Sequence, residues 1–214
     1  MAHNRVTDIA VHEGVPGHDW HYRFMTENVQ AIANIRWLTL GAVQDTSPMW
    51  GDSMATEGWT HYAEALMSTP APGQLYGFYT QDTYLYFLQF ALFRAVRVRV
   101  DIGLHTEQMS YDKAVDYFTA HFSFYPDACA HAQTDPEANA ICDMAQKEIY
   151  RYSKWPTQTI TYHLGKRAVI ELRDACQAKL GASYSDPAFY SQLLVQETIT
   201  PGFYHDEFLR DHCQ

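Results

Sequence analysis

Apolar residues recur at helical spacing through most of the chain, and Gly, Pro, Asp and Ser clusters punctuate them. Trp20, Phe24, Ile32 and Ile35 mark a first helix over 18–41, which ends in the loop GAVQDTSPMWGDS. Ser53 is placed to cap a helix running to Met67, and STPAPGQLYG breaks it with two prolines and two glycines. A long helix over Thr80–Gly103 follows, with Gly103 as its C-cap. Ser110 caps the next, YDKAVDYFTAHF. Beyond Pro126 a helix is expected over Pro136–Tyr152. Another begins at Trp155-Pro156 and stops at Gly181. A short helix over Asp186–Val195 precedes an irregular C-terminus. No repeat, linker or strand pattern interrupts this, so the reading is a single mainly α domain over residues 1–214.

Composition narrows the function classes. A formal net charge of −10 removes the basic face that a nucleic-acid binder needs. No apolar run approaches the roughly 20 residues of a membrane span. Residues 1–12 lack the apolar core of a signal peptide, and the polar chemistry starts so early that the chain reads as the later part of a longer protein. The compartment stays open between cytoplasm and periplasm or exterior. Cys129, Cys142, Cys176 and Cys213 form no CxxC pair and are expected as buried free thiols, with a Cys129–Cys142 disulfide as the alternative.

The segment His12-Glu13-Gly14-Val15-Pro16-Gly17-His18 carries the chemistry. A catalytic zinc site needs imidazole or carboxylate ligands, an open position for water, and a carboxylate outside the ligand set to take the water's proton. The two histidines are six residues apart, about 240° around an ideal helix, and would face different ways. Pro16 removes an amide donor and Gly17 tolerates distortion, so a bulge there could return both imidazoles to one point. A second helix offers Glu57, His61 and Glu64 at i, i+4 and i+7, on one face. Glu57 could bind the metal, and Glu64 could accept the other N–H of a ligand histidine. With 11 His in the chain, spacing alone leaves open a chance HE pair with histidines nearby and no metal. His3, His21, His121, His131 and His212 read as surface or hydrogen-bonded core residues.

HEGVPGHDWHY and TEGWTHYAEALM together resemble the bacterial family called domain of unknown function 885, which carries HExxPGH and EGWxxYAE segments. RAVRVRVDIGLH is similar to that family's Arg-rich helix and DxGLH turn, and WPTQTITYHLGKRAVIELRDA to its PxQxxxYxxG…ELR segment. The likeness runs from about Val6 to Phe208 and corresponds to the C-terminal part of the family's usual length. The family looks distantly similar to gluzincin metallopeptidases such as thimet oligopeptidase and angiotensin-converting enzyme. That resemblance implies a helical, zincin-like lobe around a cleft and one zinc ion per chain. His12, His18 and Glu57 would be its ligands, Glu13 the general base and Glu64 the partner behind a ligand. His61 stands where the family has an apolar residue, and either hydrogen-bonds beside Glu57 or competes for the metal.

The resemblance also implies roles for residues further along the chain. Tyr162 is similar to the family's tyrosine and would donate to the developing oxyanion, with His163 as the adjacent alternative. Arg97 and Asp101, one helical turn apart, read as a structural ion pair. The alternative has Arg97 or Arg173 holding a substrate carboxylate, and His105 lining the cleft. The expected activity is a zinc-dependent hydrolase, foremost a metallopeptidase acting on short peptides. The competing expectations are a zinc amidohydrolase on a small non-peptide amide, and a metal-binding fragment inactive without an amino-terminal lobe. That lobe, or a second copy of the chain, is the macromolecular partner left open.

Overall fold

The computed structural model describes residues 2–32, 53–72, 74–196 and 199–214. It is mainly helical, with no strand among the described residues. Helix α1 spans Ala2–Glu13, α2 His18–Glu27, α3 Ser53–Met67 and α4 Gln81–His105. Next come α5 Tyr111–Phe122, α6 Ala128–His131 and α7 Pro136–Lys154. The chain closes with α8 Thr161–Leu180, α9 Asp186–Leu194 and α10 Pro201–His212. Where the sequence reads as one continuous domain, contacts gather into two compact units. Unit 1 takes the described residues of Met1–Tyr84 and Leu164–Gln214, and unit 2 is Leu85–His163.

Unit 1 is built around α3 and α8. Trp59 and Tyr62 of α3 join Val169, Leu172 and Cys176 of α8, with Phe189 and Phe208 closing the cluster from α9 and α10. The two central helices touch backbone to backbone. A Cβ at Gly58 would run into Gly165, and one at Gly165 would run into the carbonyl of Met54. Helix α1 packs on α3 as well. In unit 2, Val96 and Val100 of α4 meet Val115 and Phe118 of α5 and Ile149 of α7. Ser110 caps α5 by accepting from Lys113 N, and Asp135 caps α7 by accepting from Glu137 N, with Pro136 in the first turn.

Several expectations change. The first helix ends at Glu27 and a 3-10 turn follows over Val29–Ala31, while the expected course of 33–52 lies outside the described residues. Gly103 does not end α4, which continues to His105. A Cβ at Gly103 would meet the Met109 side chain, so the glycine marks close packing rather than a cap. The helix expected from Trp155 begins at Thr161, after a 3-10 turn over Gln158–Ile160. The C-terminus is a helix, α10, opened by Pro201 in its first turn.

The cysteines are not free. Cys129 pairs with Cys142 and Cys176 with Cys213. The first disulfide joins α6 to α7, which pack together in unit 2. The second joins α8 to the end of α10, a neighbour invisible while the C-terminus reads as irregular.

Candidate metal centre

The HEGVPGH segment resolves its six-residue spacing by breaking the helix outright. Helix α1 stops at Glu13, a turn covers Gly14–Gly17, and α2 starts afresh at His18. The turn is tight. A Cβ at Gly17 would collide with the carbonyl oxygens of His12 and Val11, so only glycine fits this approach. Its far side is pinned to α3, where Trp59 Nε1 donates to the Pro16 carbonyl at 2.8 Å. The residue between Gly58 and Thr60 thus ties the histidine-bearing turn to the helix that carries Glu57.

With the turn so held, three side chains of unit 1 converge. Glu57 Oε2 lies 3.3 Å from His12 Nε2 and 3.5 Å from His18 Nε2. The two imidazoles meet edge to face with centroids 5.1 Å apart. One potential ligand atom from each of the three falls within 4.8 Å of the other two. Glu57 Oε2 is buried yet makes no hydrogen bond among the described residues. Burial alone would raise the Glu57 carboxyl, but the imidazoles of His12 and His18 outweigh it and hold the group at about 2. It is therefore an ionised carboxylate aimed at two ring nitrogens.

The opposite edge of His12 is fixed too. Glu64 Oε1 stands 2.6 Å from His12 Nδ1, and its Oε2 stands 3.1 Å from His61 Nδ1. A carboxylate at Nδ1 keeps a proton there, so a metal entering at Nε2 would displace only the proton facing Glu57. His61 is thus turned toward Glu64 through Nδ1. Zinc bonds of about 2.0–2.1 Å in tetrahedral array put neighbouring ligand atoms about 3.3 Å apart. The His12–Glu57 and His18–Glu57 separations have that size, so the three side chains could hold such an ion. Glu13, next to His12 in sequence and the last residue of α1, is exposed.

Two features escaped the sequence reading. Trp59 is given no role there, although its indole N–H does the tethering. Thr60 Oγ1 also approaches His12 Nε2, at 3.4 Å, while donating to the Glu57 carbonyl at 3.0 Å. The W and T that follow EG in TEGWTHYAE were the available signal. His21 departs from expectation as well. It is buried, neither ring nitrogen has a hydrogen-bond partner among the described residues, and burial with the nearby His18 lowers its pKa to about 4.

The remaining candidates fall elsewhere. Arg173, in unit 1, is engaged: its Nε and Nη2 donate to Asp174 Oδ1 and its Nη1 to the Tyr62 hydroxyl. Tyr162, His163, Arg97 and His105 belong to unit 2. The guanidinium carbons of Arg94 and Arg97 lie 5.6 and 4.7 Å from the Tyr162 ring centroid. His163 is half-buried at the start of α8. The expected Arg97–Asp101 pair does not form. Asp101 instead accepts from Thr159 Oγ1 at 2.7 Å and Thr157 N at 3.3 Å, and pairs with His105 Nδ1 at 3.1 Å. Those three partners draw the carboxylate away from Arg97.

Residues 1–201 match the family described as bacterial protein of unknown function, DUF885. The chain belongs to that family. Among solved structures it is similar to a putative lipoprotein from Colwellia psychrerythraea, at 22% identity and a TM-score of 0.67. That match takes in 97% of this chain and 31% of the other, so the DUF885 chain spans about a third of its neighbour's length. No curated protein matches it. At that identity the neighbour speaks for the helical fold alone.

Proposed function

We propose that this DUF885 chain binds one zinc ion through His12, His18 and Glu57 and hydrolyses amide bonds, foremost those of short peptides. The reading is carried by one observation: buried Glu57 Oε2 stands at ligand-to-ligand spacing from both His12 Nε2 and His18 Nε2. Two imidazoles and a carboxylate suit zinc, and three protein ligands leave a position for water. Bound there, zinc supplies Lewis acidity and brings water's pKa toward neutrality.

The chain's own residues have distinct tasks. Glu13 follows a ligand directly, is exposed and lies outside the converging set, so it is the carboxylate available to take a proton from water. Glu64 orients His12 and fixes its tautomer. Trp59 and Gly17 hold the turn so that His18 returns to the same point.

Two disulfides favour an oxidising compartment, and the similar structure is itself described as a putative lipoprotein. We therefore place the protein outside the cytoplasm. No described helix is long and apolar enough to cross a membrane.

The decisive experiment pairs metal analysis with a digest of a peptide library. About one zinc per chain, lost in a His12→Ala, His18→Ala double variant, together with cleavage of library members, supports the reading. A chain that takes up no zinc after loading sinks it. A zinc-loaded chain that spares every peptide yet turns over a small amide moves it to a non-peptide amidohydrolase.

A further inference from the structure

Arg97 sits in the interior of unit 2 with no anion against it among the described residues. The residue is 4% exposed, and its Nε and Nη2 are buried without a hydrogen-bond partner among those residues. A buried guanidinium is ordinarily matched by a carboxylate or a set of carbonyl oxygens. Here the neighbouring carboxylates are engaged elsewhere. Asp101 is occupied by Thr159, Thr157 and His105, and Glu148 by Tyr152 and Arg151.

What surrounds the cation is aromatic. Its central carbon lies 4.7 Å from the Tyr162 ring centroid, 5.0 Å from that of Phe93 and 5.6 Å from that of Tyr152. Ring faces stabilise the charge, but they offer the in-plane N–H groups no acceptor. Arg94, one turn earlier on α4, also places its guanidinium carbon 5.6 Å from the Tyr162 ring centroid.

Nε–H and Nη2–H are the two donors that share one edge of a guanidinium. That edge receives both oxygens of a single carboxylate in parallel hydrogen bonds. We propose that the Nε/Nη2 edge of Arg97, within its cage of Phe93, Tyr152 and Tyr162, is a binding site for an organic carboxylate. The site lies wholly within unit 2 and does not depend on the metal reading. A planar carboxylate is the fitting ligand because its two oxygens match the two orphaned donors and aromatic walls suit an organic remainder.

The test is a titration of the full chain, with chelator present so that metal plays no part, against N-acetylalanine, its amide and inorganic phosphate. The acid should bind and raise the melting temperature, and the amide should do neither. Arg97→Lys keeps the charge but removes the fork, and should weaken the acid about tenfold or more. Equal binding of acid and amide, binding of phosphate but not the acid, or undiminished affinity in the lysine variant each overturn the proposal. Should that variant fail to fold, the acid–amide comparison on the unaltered chain still decides. Crystals soaked in the acid provide an independent measurement. A carboxylate on the Nε/Nη2 edge is expected, and an ordered water there in its place refutes the assignment.

Discussion

His12 Nδ1 and Glu64 Oε1 stand 2.6 Å apart although 52 residues separate them along the chain. The contact sets which nitrogen of His12 carries its proton, and so which one can ligate. Glu64→Gln keeps the shape but removes the charge that favours this tautomer. Zinc affinity should fall about 10- to 100-fold, read by competition with a chromogenic chelator. An unchanged affinity would mean that the contact has no bearing on a metal.

Glu13 makes a sharper distinction. Glu13→Gln should retain about one zinc per chain while amide hydrolysis falls about 100- to 10,000-fold. Retained activity in the metal-loaded variant would remove Glu13 from the proposed chemistry and leave the ligands untouched.

Gly17→Ala tests the turn. The added methyl would meet the carbonyls of His12 and Val11, so the α1–α2 junction must open. Stability should drop by about 1–3 kcal/mol, as for other overpacked sites. Zinc binding should be lost along with it. Gly202→Ala, where the new methyl meets nothing within 4 Å, serves as the control and should leave zinc binding intact.

His21 gives a pH dependence of defined sign. Its folded pKa, about 4, lies below the 6.5 of a free imidazole, so between those values the unfolded chain takes up a proton that the folded chain does not. Stability from this group is full above pH 6.5 and is lost as pH falls toward 4, by about 3 kcal/mol in all. Urea unfolding of metal-free His21→Leu should show that much less acid loss than the parent. Parallel pH profiles for the two proteins would contradict a neutral buried imidazole.

The disulfides close loops with sequence separations of 13 and 37. Chain entropy puts their contributions at about 3 and about 4 kcal/mol respectively. Denaturant unfolding with and without reductant should show losses of that order, and single Cys→Ser variants should separate them. Indifference to reductant would argue that the thiols are unpaired in solution.

Much of this architecture was legible in the sequence because helices announce themselves by period. Ser110 and Asp135-Pro136 mark helix starts through local hydrogen bonding and a fixed φ, so those boundaries hold. Gly103 misled because a glycine required for packing against Met109 looks, in one dimension, like a glycine required for a cap. The C-terminal helix was missed, and with it the Cys176–Cys213 pair, which exists only once α10 has brought Cys213 back to α8. The converging residues were named from spacing and resemblance, since His12, His18, Glu57 and Glu64 are chemical types with few roles. The tether from Trp59 was not, because an indole buried among apolar neighbours gives no sign of where its one N–H points.

The contact between Gly58 and Gly165 bears on how much play Glu57 has. Most helix pairs rest on side chains that can change rotamer, so their spacing drifts as temperature or sequence varies. Here two main chains meet with nothing between them, one residue after the carboxylate. At this point α3 and α8 are already as close as their backbones allow, so Glu57, one residue away, sits on main chain that cannot move further inward.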